Sequence, residues 1–316
     1  MRNFKHINAT TVDEAVSALG KGKAYAIAGG TDLVGTMKDE ILSEYPETVV
    51  NLKTIPGLDY IKEEGGMLKI GALTVLEDIA INEVVKSKYT CLAEAAFRTA
   101  SPHIREMGTI AGNICQDIRC WYFRNPDNRF NCLRKNPAGL CNAQIGDNRY
   151  HSIFGGINGC FAVNPSDTAP ALVALDAKVV TSKRTVGIEE FMTSDGTKTT
   201  ILDDDEIVTE VQVPEPASGT KSAFIKFALR KSIDFPIVNC ATVISNGTAR
   251  ICLSAVHNNP YRATEAEESI AGKTIDEANA EAAGAAAVSG AVVLPMNKYK
   301  VQIAKVLVKR TILACK

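Results

Sequence analysis

No stretch of the 316-residue sequence approaches the length of a membrane span, and its start, MRNFKHINATTVDEA, lacks the apolar run of a secretory signal. A membrane partner is therefore not expected, and the chain is placed in the cytoplasm, with export alongside a partner subunit left open. Charge of either sign is not in excess: 35 Lys and Arg against 36 Asp and Glu leave −1, so no nucleic acid is expected as a partner. Internal repeats and low-complexity tracts are missing too. So are cysteine pairs of the CxxC kind, which ranks zinc low, and a GxGxxG fingerprint, which removes the nicotinamide-dinucleotide fold. Nine cysteines, an odd number in a reducing compartment, argue against a disulfide framework.

What is present suits two or three compact units: 46% apolar and 22% charged residues can bury a core. Capping boxes are expected at Thr11–Glu14 and Thr74–Glu77. Strands are predicted at 24–28, 48–52, on both sides of Gly65-Gly66, at 177–181 and over 207–213. Helical spacing follows Leu33, runs from Glu83 to about Thr99, and recurs at 168–176. Pro214-Glu215-Pro216-Ala217-Ser218-Gly219 is the strongest boundary signal. Beyond it come strands near 223–229, 237–245 and 249–256, then helices at 263–271, 275–289 and 297–315. The chain is divided accordingly at 1–57, 58–215 and 216–316, an α+β arrangement ending in an antiparallel sheet with helices.

Two features carry chemistry. The strand before Gly29-Gly30-Thr31-Asp32 opens onto a helix, so glycines would let the backbone approach a pyrophosphate while N–H groups at the helix start face it. Gly108 to Asn113 offers a second small-residue turn. A Gly-Gly turn after a strand is, by itself, more often only a turn. The second feature is the irregular segment at about 115–161, where Cys120, Cys132, Cys141 and Cys160 are separated by eleven, eight and eighteen residues. Four thiolates complete the iron sites of a cubane, and ligation would order a segment poor in apolar residues. Zinc and four unligated thiols remain the alternatives. Cys115 is a spare candidate, and His151 is an alternative ligand better read as a hydrogen-bonding loop residue. Trp121, Tyr122 and Phe123 either shield this site or simply pack locally. Cys91, Cys240, Cys252 and Cys315 read as buried small hydrophobes.

Ile27-Ala28-Gly29-Gly30-Thr31-Asp32-Leu33 and Thr109-Ile110-Ala111-Gly112-Asn113 resemble the two FAD-contacting motifs in flavin subunits of molybdenum hydroxylases, the xanthine dehydrogenase family. Pro165-Ser166-Asp167 with Ala169-Pro170-Ala171-Leu172, and Ile70-Gly71-Ala72, are similar to further signatures, and the likeness continues through Pro260, Arg262 and Glu265. The cysteine segment resembles the [4Fe–4S] insertion of a subgroup that includes 4-hydroxybenzoyl-CoA reductase and periplasmic aldehyde oxidoreductase, the latter nearer in spacing.

The resemblance implies a two-part FAD-binding domain of the molybdopterin-dehydrogenase (PCMH-like) type followed by a C-terminal domain of the CO dehydrogenase flavoprotein type. It implies that residues 27 to 33 wrap the FAD pyrophosphate and that Thr109, Gly112 and Asn113 make a second contact. Asp167 would accept from flavin-chain hydroxyls, and the charge of Lys226 would favour reduced, anionic flavin. Asp32 receives no firm side-chain role, and Arg230 and Asp234 are expected to pair with each other. The implied activity is electron relay between [2Fe–2S] clusters of a small partner subunit and an external carrier, ferredoxin-like or other, while a large partner holds the molybdenum cofactor. No residue of this chain is expected to be catalytic in its own right. A stand-alone flavin oxidoreductase with a cysteine redox switch and a zinc-stabilised scaffold are the rival readings.

Overall fold

The computed structural model describes residues 1–316 as an α+β protein with three sheets. The first is parallel, with Thr48–Asn51 between Lys5–Asn8 and Ala24–Ile27. Helix Val12–Leu19 covers it, burying Ala15, Ala18 and Leu19 against Val50 and Ile55. Thr11 caps this helix by accepting the Glu14 N–H. The Glu14 carboxylate returns to the Thr10 N–H at 2.8 Å, one residue earlier than a capping box requires.

A five-stranded antiparallel sheet follows, ordered Ile61–Glu64, Met67–Gly71, Val208–Pro214, Lys178–Thr181, Thr185–Gly187. Gly65 and Gly66 turn its first hairpin with φ of +64° and +72°, the left-handed pair that a tight two-residue loop needs. Leu76–Ile81, Thr90–Phe97 and Thr168–Ala174 pack on this sheet through Leu76, Ile79, Leu92, Ala96, Leu172 and Val173. The third sheet is an antiparallel meander of Lys221–Phe227, Val238–Ser245, Thr248–Ser254 and Tyr261–Arg262. Helices Thr264–Ile270, Glu277–Ala286 and Tyr299–Ala314 pack on one of its faces through Ile251, Leu253, Ala283, Leu307 and Ile312. Its other face contributes Phe224, Ala241, Val243 and Cys252 to the core of the five-stranded sheet.

Two local expectations fail for identifiable reasons. The helix expected from Glu83 to Thr99 breaks at Tyr89, giving Glu83–Lys88 and Thr90–Phe97. Tyr89 is fully buried with φ −124°, and the turn there lays Cys91, Leu92, Ala95 and Ala96 into the core. The second capping box does not form either. The Thr74 hydroxyl accepts the Tyr60 N–H and donates to the Tyr60 carbonyl, while Glu77 pairs with Arg105 at 2.6 Å. Between Cys115 and Cys160 the only regular pieces are short 3₁₀ turns, Pro126–Asn128 and Asn142–Gln144. No helix is long and apolar enough to cross a membrane.

Candidate functional site

The strand Ala24–Ile27 runs into Gly29-Gly30-Thr31-Asp32 and then helix Leu33–Lys38. A Cβ at Gly29 would sit 2.0 Å from the Met107 carbonyl oxygen, so only glycine lets this turn press against the Met107-Gly108-Thr109 backbone. The N–H groups of Gly29, Gly30, Thr31 and Asp32 meet no acceptor within the chain. They face a cleft of about 670 Å³ whose walls include Ile27 to Leu33, Thr109, Gly112, Asn113 and Asp167. Unpaired donors on a turn that precedes a helix start suit an anionic group such as a pyrophosphate.

The second turn brings its residues to the same cleft but spends most of its own donors. The Thr109 hydroxyl accepts the Gly112 N–H at 3.1 Å, and the Ile110 and Ala111 N–H groups go to Thr74 and Ala72 carbonyls. Asn113 Oδ1 accepts from Ser166 Oγ at 2.5 Å and Thr168 Oγ1 at 2.7 Å, tying this turn to the Pro165-Ser166-Asp167 stretch. Asp167 is buried, taking Lys226 Nζ on one oxygen at 2.6 Å and Asn239 Nδ2 on the other at 2.8 Å. Burial pushes the Asp167 carboxyl up against the pull of Lys226 and Asn239. Lys226 is set behind the wall, its remaining contact being the Arg98 carbonyl; it can act on a cleft occupant only through Asp167. Arg230 and Asp234 pair as expected, at 2.5 Å.

Asp32, left without a role by the sequence, joins the cleft to the cysteine segment. Its carboxylate holds Arg119 at 2.5 Å and Arg124 at 2.7 Å and accepts the Asp117 N–H at 3.0 Å. Asp117, Arg119 and Arg134 from that segment line the cleft themselves. A high content of arginine around the cysteines was the one signal available in the sequence, and it does not name partners.

Cys132 and Cys160 are buried and Cys120 and Cys141 half-buried; Cys120, Cys132 and Cys160 pack in one small cluster with Phe123 and Ala162, and Cys141 follows Leu140, whose backbone bridges to Cys132. Burial pushes the Cys120 thiol up to about 12 and raises those of Cys132 and Cys141. His151 Nε2 lies 3.2 Å from Cys120 Sγ, as a hydrogen-bonding residue. No group of three or more His, Cys, Asp or Glu side chains closes to the distances of a single metal ion. Cys115 is half-buried, packed against the main core and lining the cleft, and desolvation pushes its thiol up to about 12.

The chain is similar to known proteins along its length. Residues 2–216 match the FAD binding domain in molybdopterin dehydrogenase, and residues 223–315 the CO dehydrogenase flavoprotein C-terminal domain. The aldehyde oxidoreductase FAD-binding subunit PaoB of Escherichia coli (strain K12) is 34% identical over 275 residues, 84% of each chain. The carbon monoxide dehydrogenase medium chain of Hydrogenophaga pseudoflava is 30% identical over 90% of this chain and 86% of its own. A solved structure of that organism's carbon monoxide dehydrogenase, lacking the Mo-pyranopterin moiety of the molybdenum cofactor, superposes with a TM-score of 0.77 at 27% identity, covering 99% of this chain and 97% of its own. A glycine-walled cleft with unpaired donors, on a chain matched from residue 2 to 315, thus belongs to the family of FAD-binding medium subunits of molybdenum hydroxylases.

Proposed function

We propose that this chain is the FAD- and [4Fe–4S]-carrying electron-transfer subunit of a heteromeric molybdenum hydroxylase-type oxidoreductase. Its partners would be a large subunit with the molybdenum cofactor, where an aldehyde, purine or aromatic substrate reacts, and a small [2Fe–2S] subunit. The relatives are described as medium chains and FAD-binding subunits, which supports a heteromer. When bound, the two groups would supply electron relay between one-electron clusters and an external carrier. The chain's own part is to bind and orient. Gly29 to Asp32 would hold the pyrophosphate, Thr109 and Gly112 would border it, and Asp167, fixed by Lys226 and Asn239, would present its free lone pairs to hydroxyls.

The observation that carries the cluster half is the gathering of Cys120, Cys132 and Cys160 in one small core, with Cys141 next to Leu140, whose backbone bridges to Cys132. A cubane has edges of its own, so its four thiolates stand farther apart than those around one tetrahedral ion. Zinc sites are usually built on close CxxC pairs, which this segment does not have. A redox switch needs an accessible, low-pKa thiolate, whereas burial raises these thiols. Ligation to iron would deprotonate them outright.

Anaerobic expression with reconstitution tests the reading. The isolated chain is expected to carry one FAD and about four iron and four sulfide. Flavin without iron would favour the switch, and one zinc without flavin the scaffold.

A further inference from the structure

The side chain of Arg134 is 1% exposed and touches both halves of the site. Nη1 donates to the Gly196 carbonyl at 3.0 Å and reaches Cys160 Sγ at 3.9 Å. Nη2 lies 3.5 Å from Asp117 Oδ1, and the same residue forms part of the flavin cleft wall. Its Nε has no partner, and the guanidinium plane sits over the Phe123 ring. The other nearby cations have other partners, and Lys135 lies on the Cys132 and Cys120 side rather than at Cys160. Arg119 and Arg124 are bonded to Asp32, and Lys135 is bonded to Phe123 O and Asn128. Arg134, paired with Asp117 on one side, is thus the cation that reaches Cys160 from the cleft wall.

We propose that Arg134 is a positioning residue that sets how easily the cluster held by Cys160 is reduced, and so the energy gap across which an electron passes between cluster and flavin. The inference rests on the [4Fe–4S] reading. Four thiolates around a cubane leave a net negative centre, and reduction adds one more negative charge. A fixed cation in a water-poor setting favours that reduced form, and an N–H directed at a ligand sulfur acts in the same sense. No proton moves and no bond is made; one electron enters the cluster from a dithionite-type reductant in the test, or from the partner clusters in the enzyme.

The test is EPR-monitored redox titration of the assembled complex bearing Arg134→Met or Arg134→Lys. Arg134→Met is expected to lower the ratio of reduced to oxidised cluster about tenfold at a fixed potential, a shift of about 59 mV for one electron. Arg134→Lys, which keeps the charge, should restore most of it. Equal shifts in both variants, or less than a twofold change in Arg134→Met at normal iron content, would overturn the proposal. Wild-type protein supplies a second readout, independent of whether the variants fold. With ¹⁵N placed only in arginine guanidino groups, the reduced cluster should show a weakly coupled ¹⁵N in pulsed EPR, and its absence overturns the assignment. A wild-type complex with FAD but no iron beyond the partner's clusters sinks the cluster reading itself, a result distinct from either.

Discussion

At the scale of single residues, the glycines of the cleft separate into those the structure needs and those it does not. Gly29→Ala would drive a methyl group into the Met107 carbonyl, so the two turns must part. The expected cost is about 1–3 kcal/mol, with loss of FAD on gel filtration and a lower melting temperature. Gly35, inside helix Leu33–Lys38, has open space where a Cβ would go. Gly35→Ala should stabilise the protein by about 0.5–1 kcal/mol and leave flavin content unchanged. Lys300 offers a test in pH. It is fully buried, donating to the Ala255 carbonyl at 2.6 Å and the His151 carbonyl at 3.0 Å, and burial lowers it to about 7. Above that pH the folded chain releases a proton that the unfolded chain keeps up to the ordinary lysine range. Stability must then rise with pH, by about 2–3 kcal/mol between pH 7 and 9 if each unit is worth 1.36 kcal/mol. Urea midpoints should show this rise in the wild type and a flatter profile in Lys300→Met.

At the scale of elements, the cysteine segment depends on a residue outside it. Asp32 holds Arg119 and Arg124, one on each side of Cys120, with all three side chains about four-fifths buried. Asp32→Ala would strand both guanidiniums, at a local cost of about 3 kcal/mol. Hydrogen exchange is expected to quicken over 115–135 while the strand Ala24–Ile27 keeps its protection; equal quickening in both would contradict the clamp. This clamp marks the limit of what could be read from the sequence. Periodicity found the longer strands and helices within a few residues, because each buries one face of a regular pattern, but not the short edge strands Lys5–Asn8, Thr185–Gly187 and Tyr261–Arg262 or the one-turn helices Pro102–Arg105 and Ile188–Phe191, which are too short to show a period. It missed the break at Tyr89, where both halves of the run keep the same apolar spacing and only the packing tells them apart. It missed the diversion of Thr74 to Tyr60, since a hydroxyl's choice of partner depends on a strand end fourteen residues away. The glycine turns and the four cysteines were legible as candidates, through backbone geometry and thiolate chemistry. Who holds Asp32, Asp167 and Arg134 was not, because ion pairs between distant segments leave no spacing to read.

At the scale of the molecule, the regions matched by the two family models share one core. Phe224, Ala241, Val243 and Cys252 of the meander pack among Leu68 and Val211 of the five-stranded sheet and Leu92 and Leu172 of the helices that cover it. Polar ties cross the same seam. Lys226 reaches Asp167, Glu94 accepts the Phe224 N–H at 2.7 Å, and Lys300 satisfies carbonyls of the cysteine segment. The cleft is built across that seam as well, since Ile233, Asp234 and Phe235 join Gly29 and Asp167 in its wall. A chain ending at residue 216 would expose the apolar face of Thr90–Phe97 and leave Asp167 buried without its cation, which alone is worth about 3–5 kcal/mol, a large share of a typical folding free energy. Residues 1–216 produced alone should therefore lose near-UV circular dichroism, bind a hydrophobic dye and retain no FAD, although they span the whole FAD-binding match. Adding residues 217–316 as a separate chain should restore flavin binding only if the shared core can reassemble. Folded, flavin-loaded 1–216 would instead mean that the meander merely rests against an independent unit.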